Sequence, residues 1–212
     1  MQLVGDNALA KWSELCGPAD SVQAKIHAPS SIRSAFGTDS VKNAVHSASS
    51  PAQQKAEADL FFSRDCATSA YFTNCTCAII KPHIVAEGLA GEVIDTILEE
   101  GYEISAMQMF TLDKPTAEEF LEVYKGVLPE FSAIAKHMTE GPCIVMEVRQ
   151  ENAVQSFREL CGPMDPEIAK NLRPKTLRAK YGVDRTMNAI HCTDLPEDGT
   201  LESEYFFSIQ QQ

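Results

Sequence analysis

The sequence predicts an α+β fold: a small sandwich built on four strands, preceded by the C-terminal part of a second copy of itself. Three observations predict it. Strand-like and helical runs alternate along residues 75–208, and only four strand-like runs are present, too few for a doubly wound sheet. Residues 1–63 repeat the end of the chain at one fixed spacing. The composition, 44% hydrophobic and 23% charged over 212 residues, is that of a globular chain with room for one domain and part of another.

Taken in order, residues 76–81 form a short apolar run that ends at Pro82 and reads as a strand. Leu89, Val93, Ile94, Ile97 and Leu98 recur at helical spacing through GLAGEVIDTILEEG, and Gly101 is placed to stop that helix. Residues 102–112 are long and strand-like. Residues 115–125 and 129–138 each begin with proline, which suits a first helical turn. PCIVMEV at 142–148 is a third strand, and residues 152–161 form a helix ended by Gly162 and Pro163. Residues 187–192 form a fourth strand, followed by the loop LPEDG and a short acidic helix.

The repeat sets residue n against residue n + 145. ELCGP at 14–18 falls on ELCGP at 159–163, SIR at 31–33 on TLR at 176–178, and NAVH at 43–46 on NAIH at 188–191. Glu57 falls on Glu202, and FFS at 61–63 on FFS at 206–208. The same spacing carries Met1 onto Met146, inside the third strand. Residues 1–63 are therefore expected to be the C-terminal part of a first domain, beginning in mid-strand without that domain's first half. Residues 64–74 are the expected linker and 75–208 the complete repeat.

The formal net charge of −12 disfavours nonspecific attraction to nucleic acid or to an anionic membrane, both polyanions. No apolar run reaches the roughly 18 residues of a membrane span, and the first residues lack the pattern of a secretory signal. Seven cysteines without regular spacing point to reduced thiols, with Cys75 and Cys77 packed inside a strand.

The chemistry concentrates in NAIHCTD, 188–194. A neutral imidazole is a good nucleophile near neutral pH and can accept a phosphoryl group when a partner on its other nitrogen fixes the tautomer. Glu202, in the terminal helix, can be that partner for His191. Lys81, Arg158 and Arg178 are cations spread over the same repeat, and phosphoryl transfer rests on positioning and charge.

CAIIKPHIVAEGLAGEVI, the Tyr124 region, MTEGP at 138–142, FRELCG, RPKTLR, NAIHCTD and the closing EYFF occur in the order of the nucleoside diphosphate kinase family, which residues 75–208 closely resemble. The tandem arrangement resembles two-domain members of that family associated with centrosomes and ciliary axonemes. The resemblance implies a ferredoxin-like α/β sandwich with a four-stranded antiparallel sheet. It implies ping-pong transfer of a γ-phosphate between nucleoside di- and triphosphates, with His191 as the transient phosphohistidine and Glu202 orienting it. Lys81, Tyr124, Arg158, Arg178, Asn188 and Thr193 correspond to nucleotide contacts, and Mg²⁺ would arrive with the nucleotide rather than in a protein cage. The two-domain resemblance equally implies a non-enzymatic structural role in ciliary doublet microtubules, with tubulin and other axonemal or centrosomal proteins as partners and a cytoplasmic, cytoskeletal location.

The sequence departs from the family in places. Glu130 stands where the family has a base-stacking Phe, and Met164 where it has a phosphate-contacting Thr. The loop IAKNLRPK is longer than usual. In the first repeat His46, Arg33, Asn43 and Glu57 form a vestigial set, with Ser13 and Ser49 in place of Arg158 and Asp194.

Overall fold

A strand persists only where another strand satisfies its backbone groups, and this rule separates the two halves of the chain. The computed structural model describes residues 1–62 and 68–210. Residues 64–67 of the expected linker, and Ser63 of the repeat match, lie outside the described residues. Contacts divide the chain into two units, Met1–Ala67 and Thr68–Gln212.

The first unit contains α1 (Ala8–Cys16), α2 (Ser21–His27), α3 (Ile32–Phe36) and α4 (Pro51–Phe62). Among its described residues there is no strand. Residues 1–4, expected as strand from their match to Met146, form none, and neither do residues 45–47, the counterpart of the fourth strand. The sequence there is strand-compatible, but no strand among the described residues of this unit pairs with it. Local geometry survives all the same. Asn7, Gly17 and Ala44 have positive φ, as do Asn152, Gly162 and Ala189 in the second unit.

In the second unit the strands are β1 (Cys75–Ile80), β2 (Glu103–Phe110), β3 (Cys143–Arg149) and β4 (Ile190–Cys192). They form one antiparallel sheet in the order β2-β3-β1-β4. The helices are α5 (Pro82–Ala86), α6 (Ala90–Glu99), α7 (Lys114–Phe120), α8 (Phe131–Met138), α9 (Ala153–Cys161), α10 (Pro166–Leu172), α11 (Leu177–Tyr181) and α12 (Asp198–Glu204). A 3₁₀ turn covers Glu122–Tyr124 and a π turn Tyr205–Ile209. This is the α+β sandwich the sequence predicts, with three helices it did not resolve: α5, α10 and α11. IAKNLRPK is not a plain loop, because its first half belongs to α10, where Ala169 is buried. Helix α8 starts at Phe131 rather than at Pro129; Leu128 accepts a hydrogen bond from the Phe131 amide and the chain turns before the helix begins.

Strand β1 is buried along its whole length, and its pleat splits the core in two. Ala78 and Ile80 face a layer with Val93, Ile97, Phe157 and Leu177. Cys77 and Ile79 face the other, with Ile134, Met138, Phe206 and Phe207. Successive strand residues point to opposite faces, so a central strand covered by helices on both sides reads as a continuous apolar run.

Beside the core, β2 carries a bulge between Ile104 and Ala106. The bulged Ser105 donates its hydroxyl to the fully buried Glu147 at 2.6 Å, and the amides of Tyr71 and Phe72 donate to the same carboxylate at 2.6 and 2.9 Å. A buried carboxylate is tolerable only with such donors. They anchor the segment entering β1, and Arg149 stacks 4.4 Å over the Tyr71 ring on the same strand.

The repeat shows what the missing sheet costs the first unit. Phe206 and Phe207 are buried, whereas their counterparts Phe61 and Phe62 are 66% and 47% exposed. Hydrogen exchange on the whole chain is therefore expected to protect the β1, β3 and α9 amides strongly and those of α1–α4 weakly. Equal protection of both regions in a monomer would contradict this division.

Candidate active site

His191 is placed by the sheet edge. It pairs with Ile79 in the β1–β4 ladder, and the turn into β4 is fixed by Ala189, at φ 73°. An alanine in the left-handed region costs about 1 kcal/mol, a strain held here by the Lys81 amide donating to the Ala189 carbonyl at 3.0 Å. The His191 ring sits edge-on to Phe120, centroids 5.0 Å apart, and is almost wholly buried.

Glu202, on α12, lies 2.9 Å from His191 Nε2, and the Thr193 hydroxyl donates to the same Glu202 oxygen at 2.9 Å. The Cys77 amide donates to Thr193 Oγ1 at 3.1 Å, tying this pair to β1. With Nε2–H donating to the carboxylate, the lone pair is left on Nδ1.

A pocket of about 70 Å³ opens beside the ring, lined by Lys81, Tyr124, Arg178, Asn188 and His191 among others. An adjoining open groove of about 610 Å³ is lined by Arg158 and Arg173 and shares Arg178 and Asp194 with it. The structure thus brings together five of the expected residues on one wall system and Arg158 next to it. Thr193 is fully buried behind His191, where its hydroxyl serves Glu202 rather than the pocket. Met164 lines both cavities with its side chain. Glu130 lines neither; its Oε1 is 3.1 Å from Arg185 Nη1.

Arg178 is fixed by carbonyls. It donates to Gly162 O at 2.8 Å and to Ile190 O at 3.1 and 3.3 Å. Gly162 adopts φ +81°, and a Cβ there would collide with the Thr176 side chain, so glycine alone lets α9 end where Arg178 can reach it. Lys81 Nζ donates to Thr186 O at 2.8 Å. Burial, with the nearby Arg178 charge adding to it, pushes its ammonium down from 10.5 to about 7. Asn188 Nδ2 donates to Met164 O at 3.2 Å, while its Oδ1 is buried without a partner. That acceptor is free to receive a hydroxyl donor from a ligand.

Sequence reading did not single out Asp194 and Phe120 as site residues. Asp194 accepts from the Tyr124 hydroxyl at 2.7 Å and forms an ion pair with Arg158 at 3.4 Å, while the Asp194 carbonyl accepts from Arg158 Nη1 at 2.6 Å. Burial, then this hydrogen bond, raises the Tyr124 phenol. Asp194 directly follows Thr193 and closes the NAIHCTD run; Phe120 left no signal beyond helical spacing. The first unit keeps His46 Nε2 2.9 Å from Glu57, Arg33 on the Gly17 and Val45 carbonyls, and Asn43 on Ala19 O. There, however, the His46 side chain is 69% exposed.

A sequence profile described as nucleoside diphosphate kinase matches residues 1–66 and 74–211. The chain belongs to that family. Nucleoside diphosphate kinase homolog 7 of rat is 49% identical over 213 residues, covering 99% of this chain and 54% of its own length. This chain thus spans about half of that relative. The Aquifex aeolicus nucleoside diphosphate kinase is 35% identical over 133 residues, 63% of this chain and 93% of its own. A solved structure of the Aquifex aeolicus enzyme superimposes with a TM-score of 0.61 at 33% identity, covering 65% of this chain and 97% of that one. That of Encephalitozoon cuniculi gives 0.60 at 25% identity, covering 66% and 92%. The fold of the second unit is the ferredoxin-like fold of these kinases.

The depressed Lys81 ammonium makes a binding prediction. At pH 8 it is mostly neutral, and a bound polyphosphate favours its charged form. Binding of ADP should therefore take up as much as about one proton. Titration calorimetry in Tris and in HEPES reads this as different apparent enthalpies; Lys81→Met should abolish the difference, and equal enthalpies for the native chain would contradict it.

Proposed function

We propose that the second unit transfers the γ-phosphoryl group of a nucleoside triphosphate to a nucleoside diphosphate by a two-step mechanism through His191. The observation that carries this reading is the His191–Glu202 pair, which leaves Nδ1 with a lone pair beside a pocket containing Lys81 and Arg178. In the first step the Nδ1 lone pair forms a bond to the γ-phosphorus as the bond from that phosphorus to the β–γ bridging oxygen breaks. The bond's electron pair leaves with the nucleoside diphosphate. The proton stays on Nε2, and Glu202 stabilises the positive charge that develops on the ring. A second diphosphate reverses the step.

Lys81, Arg158 and Arg178 are the cations for the phosphate chain, Tyr124 is a hydroxyl donor to it, and Asn188 Oδ1 is an acceptor for a sugar hydroxyl. Thr193 acts through Glu202 as a positioning residue. Mg²⁺ is proposed to travel with the nucleotide on its own phosphate oxygens, where it neutralises charge; the pocket's carboxylate, Asp194, is engaged by Tyr124 and Arg158. With Glu130 paired to Arg185 instead of an aromatic stack, base binding is weakly selective, and the lost stacking weakens it by about 1–3 kcal/mol.

This reading is tested by acid-labile labelling with γ-³²P-ATP. His191→Ala should remove the label, and Glu202→Gln should reduce it by about 10²–10⁴-fold in rate if charge stabilisation is the larger part of its role. His46→Ala should leave labelling intact, because the first-unit pair is exposed and, though Arg33 is kept, Ser13 stands at the position of Arg158. Equal loss in the His191 and His46 variants would refute the assignment.

A structural role in the cytoskeleton is supported by a separate feature, the exposed apolar side chains Ile26, Phe36, Val41, Leu60, Phe61 and Phe62 of the first unit. In that role the first unit engages tubulin or other axonemal or centrosomal proteins at cilia. Co-sedimentation with microtubules should then fall sharply in a Phe61→Ser, Phe62→Ser double variant while His191 labelling is unchanged; no co-sedimentation of the parent chain would end this second reading.

A further inference from the structure

Among the described thiols, Cys192 is the one that lines the pocket beside His191. It follows His191 in β4 and lines the phosphate pocket, whereas Cys77 and Cys143 are buried in the opposite layer of the core. Its sulfur accepts from Arg178 Nη2 at 3.6 Å. Cys161, the last residue of α9, is packed in the same core layer as Cys192. It immediately precedes Gly162, whose carbonyl holds the other arm of Arg178. The two thiols lie near enough for each to alter the other's ionisation. One guanidinium therefore bridges the neighbourhoods of two cysteines.

Their chemistry is divided. The neighbouring Cys161 is the largest influence on the Cys192 thiol and, with the Arg178 charge, lowers it against the effect of burial. Burial and the nearness of Cys192 push the Cys161 thiol up. A thiolate at a pocket wall backed by a protonated thiol is the arrangement of an attacking and a resolving cysteine. Burial pushes Cys77 far up and Cys143 to about 11, so both stay protonated and inert. The first unit supplies an internal contrast: at the matching positions stand Cys16 and Ser47, near enough for the serine to lower the thiol against the larger effect of burial. The geometry is repeated there, but the second sulfur is not.

We propose that Cys161 and Cys192 form a redox site at which a hydroperoxide closes an intramolecular disulfide and so disables the phosphate pocket. The Cys192 thiolate attacks the terminal peroxide oxygen; the O–O bond breaks, giving the sulfenic acid and hydroxide, or alkoxide from an organic hydroperoxide. The Cys161 sulfur then attacks the sulfenic sulfur, the S–O bond breaks, and the released hydroxide takes up a proton as water. Two thiols lose two electrons and two protons, and the peroxide is reduced. Drawn toward Cys161, the Cys192 sulfur no longer accepts from Arg178, and the backbone next to His191 shifts with it. A phosphate ligand in the pocket shields Cys192 from the oxidant. The shielding and the loss of binding rest on the phosphotransfer reading; the disulfide does not.

The test exposes the folded 212-residue chain to hydrogen peroxide and maps disulfides by mass spectrometry of a non-reducing digest. A peptide linking Cys161 to Cys192 is expected first, with Cys75, Cys77 and Cys143 unmodified. Cys161→Ser should stop at a sulfenic acid on Cys192, trapped by a 1,3-dione, and Cys192→Ser should leave Cys161 unoxidised. Inorganic pyrophosphate should slow the reaction, the oxidised chain should lose pyrophosphate binding, and dithiothreitol should restore it. Oxidation of Cys161 in the Cys192→Ser variant, or reaction at Cys77 and Cys143 as fast as at Cys192, would overturn the site. Undiminished pyrophosphate binding by the disulfide form would overturn the coupling. Failure of the reduced chain to bind pyrophosphate counts against the phosphotransfer reading alone, because the disulfide is read by mass.

Discussion

One carboxylate oxygen organises the second unit's site. Glu202 Oε2 accepts from His191 and from Thr193 at once, and Thr193 is itself held by a β1 amide. A carboxylate so little exposed needs donors to remain charged, and the two donors it finds stand on either side of Cys192. Their spacing depends on β4 being a strand, since only alternating residues of an extended chain can present two side chains to one face. β4 is three residues long and, among the described residues, pairs only with β1. The site therefore depends on β1, which is also the strand that splits the core into its two layers.

The first unit isolates what local sequence can do without that sheet. Arg33 and Arg178 make matching bonds to a glycine carbonyl and to the strand-position carbonyl before the histidine. His46 and Glu57 meet at the same 2.9 Å as His191 and Glu202. These contacts come from the helix ends, the left-handed turn and the fixed spacing, all of which are short-range. Enclosure is not short-range. Without β1 and its neighbours the His46–Glu57 pair stands in solvent, where screening leaves little of its interaction.

Much of this was legible in the residues. The 145-residue spacing exposed the partial repeat, apolar periodicity placed the four strands and α6, and NAIHCTD with Glu202 marked the His–Glu pair. What escaped had physical reasons. Helices α5 and α11 are five residues long, too short to show a 3.6-residue period, and they are held by packing rather than by propensity. Pro129 permits a helix start, yet the turn through Glu130 delays it. Thr193 could have faced the pocket or Glu202, a choice made by the Cys77 amide across the sheet. Asp194, Phe120 and the Cys161–Cys192 pair become neighbours through tertiary folding, at separations no periodicity records.

The links among Tyr124, Asp194 and Arg158 carry one more consequence. These polar groups satisfy one another, so an anion entering along this wall must exchange for those partners. A singly charged ligand offers little in return for the 2.7 Å phenol–carboxylate bond and the Arg158 contacts. A chain of phosphates can compensate at several positions together. Such a wall thus favours ligands that carry several charges over singly charged ones.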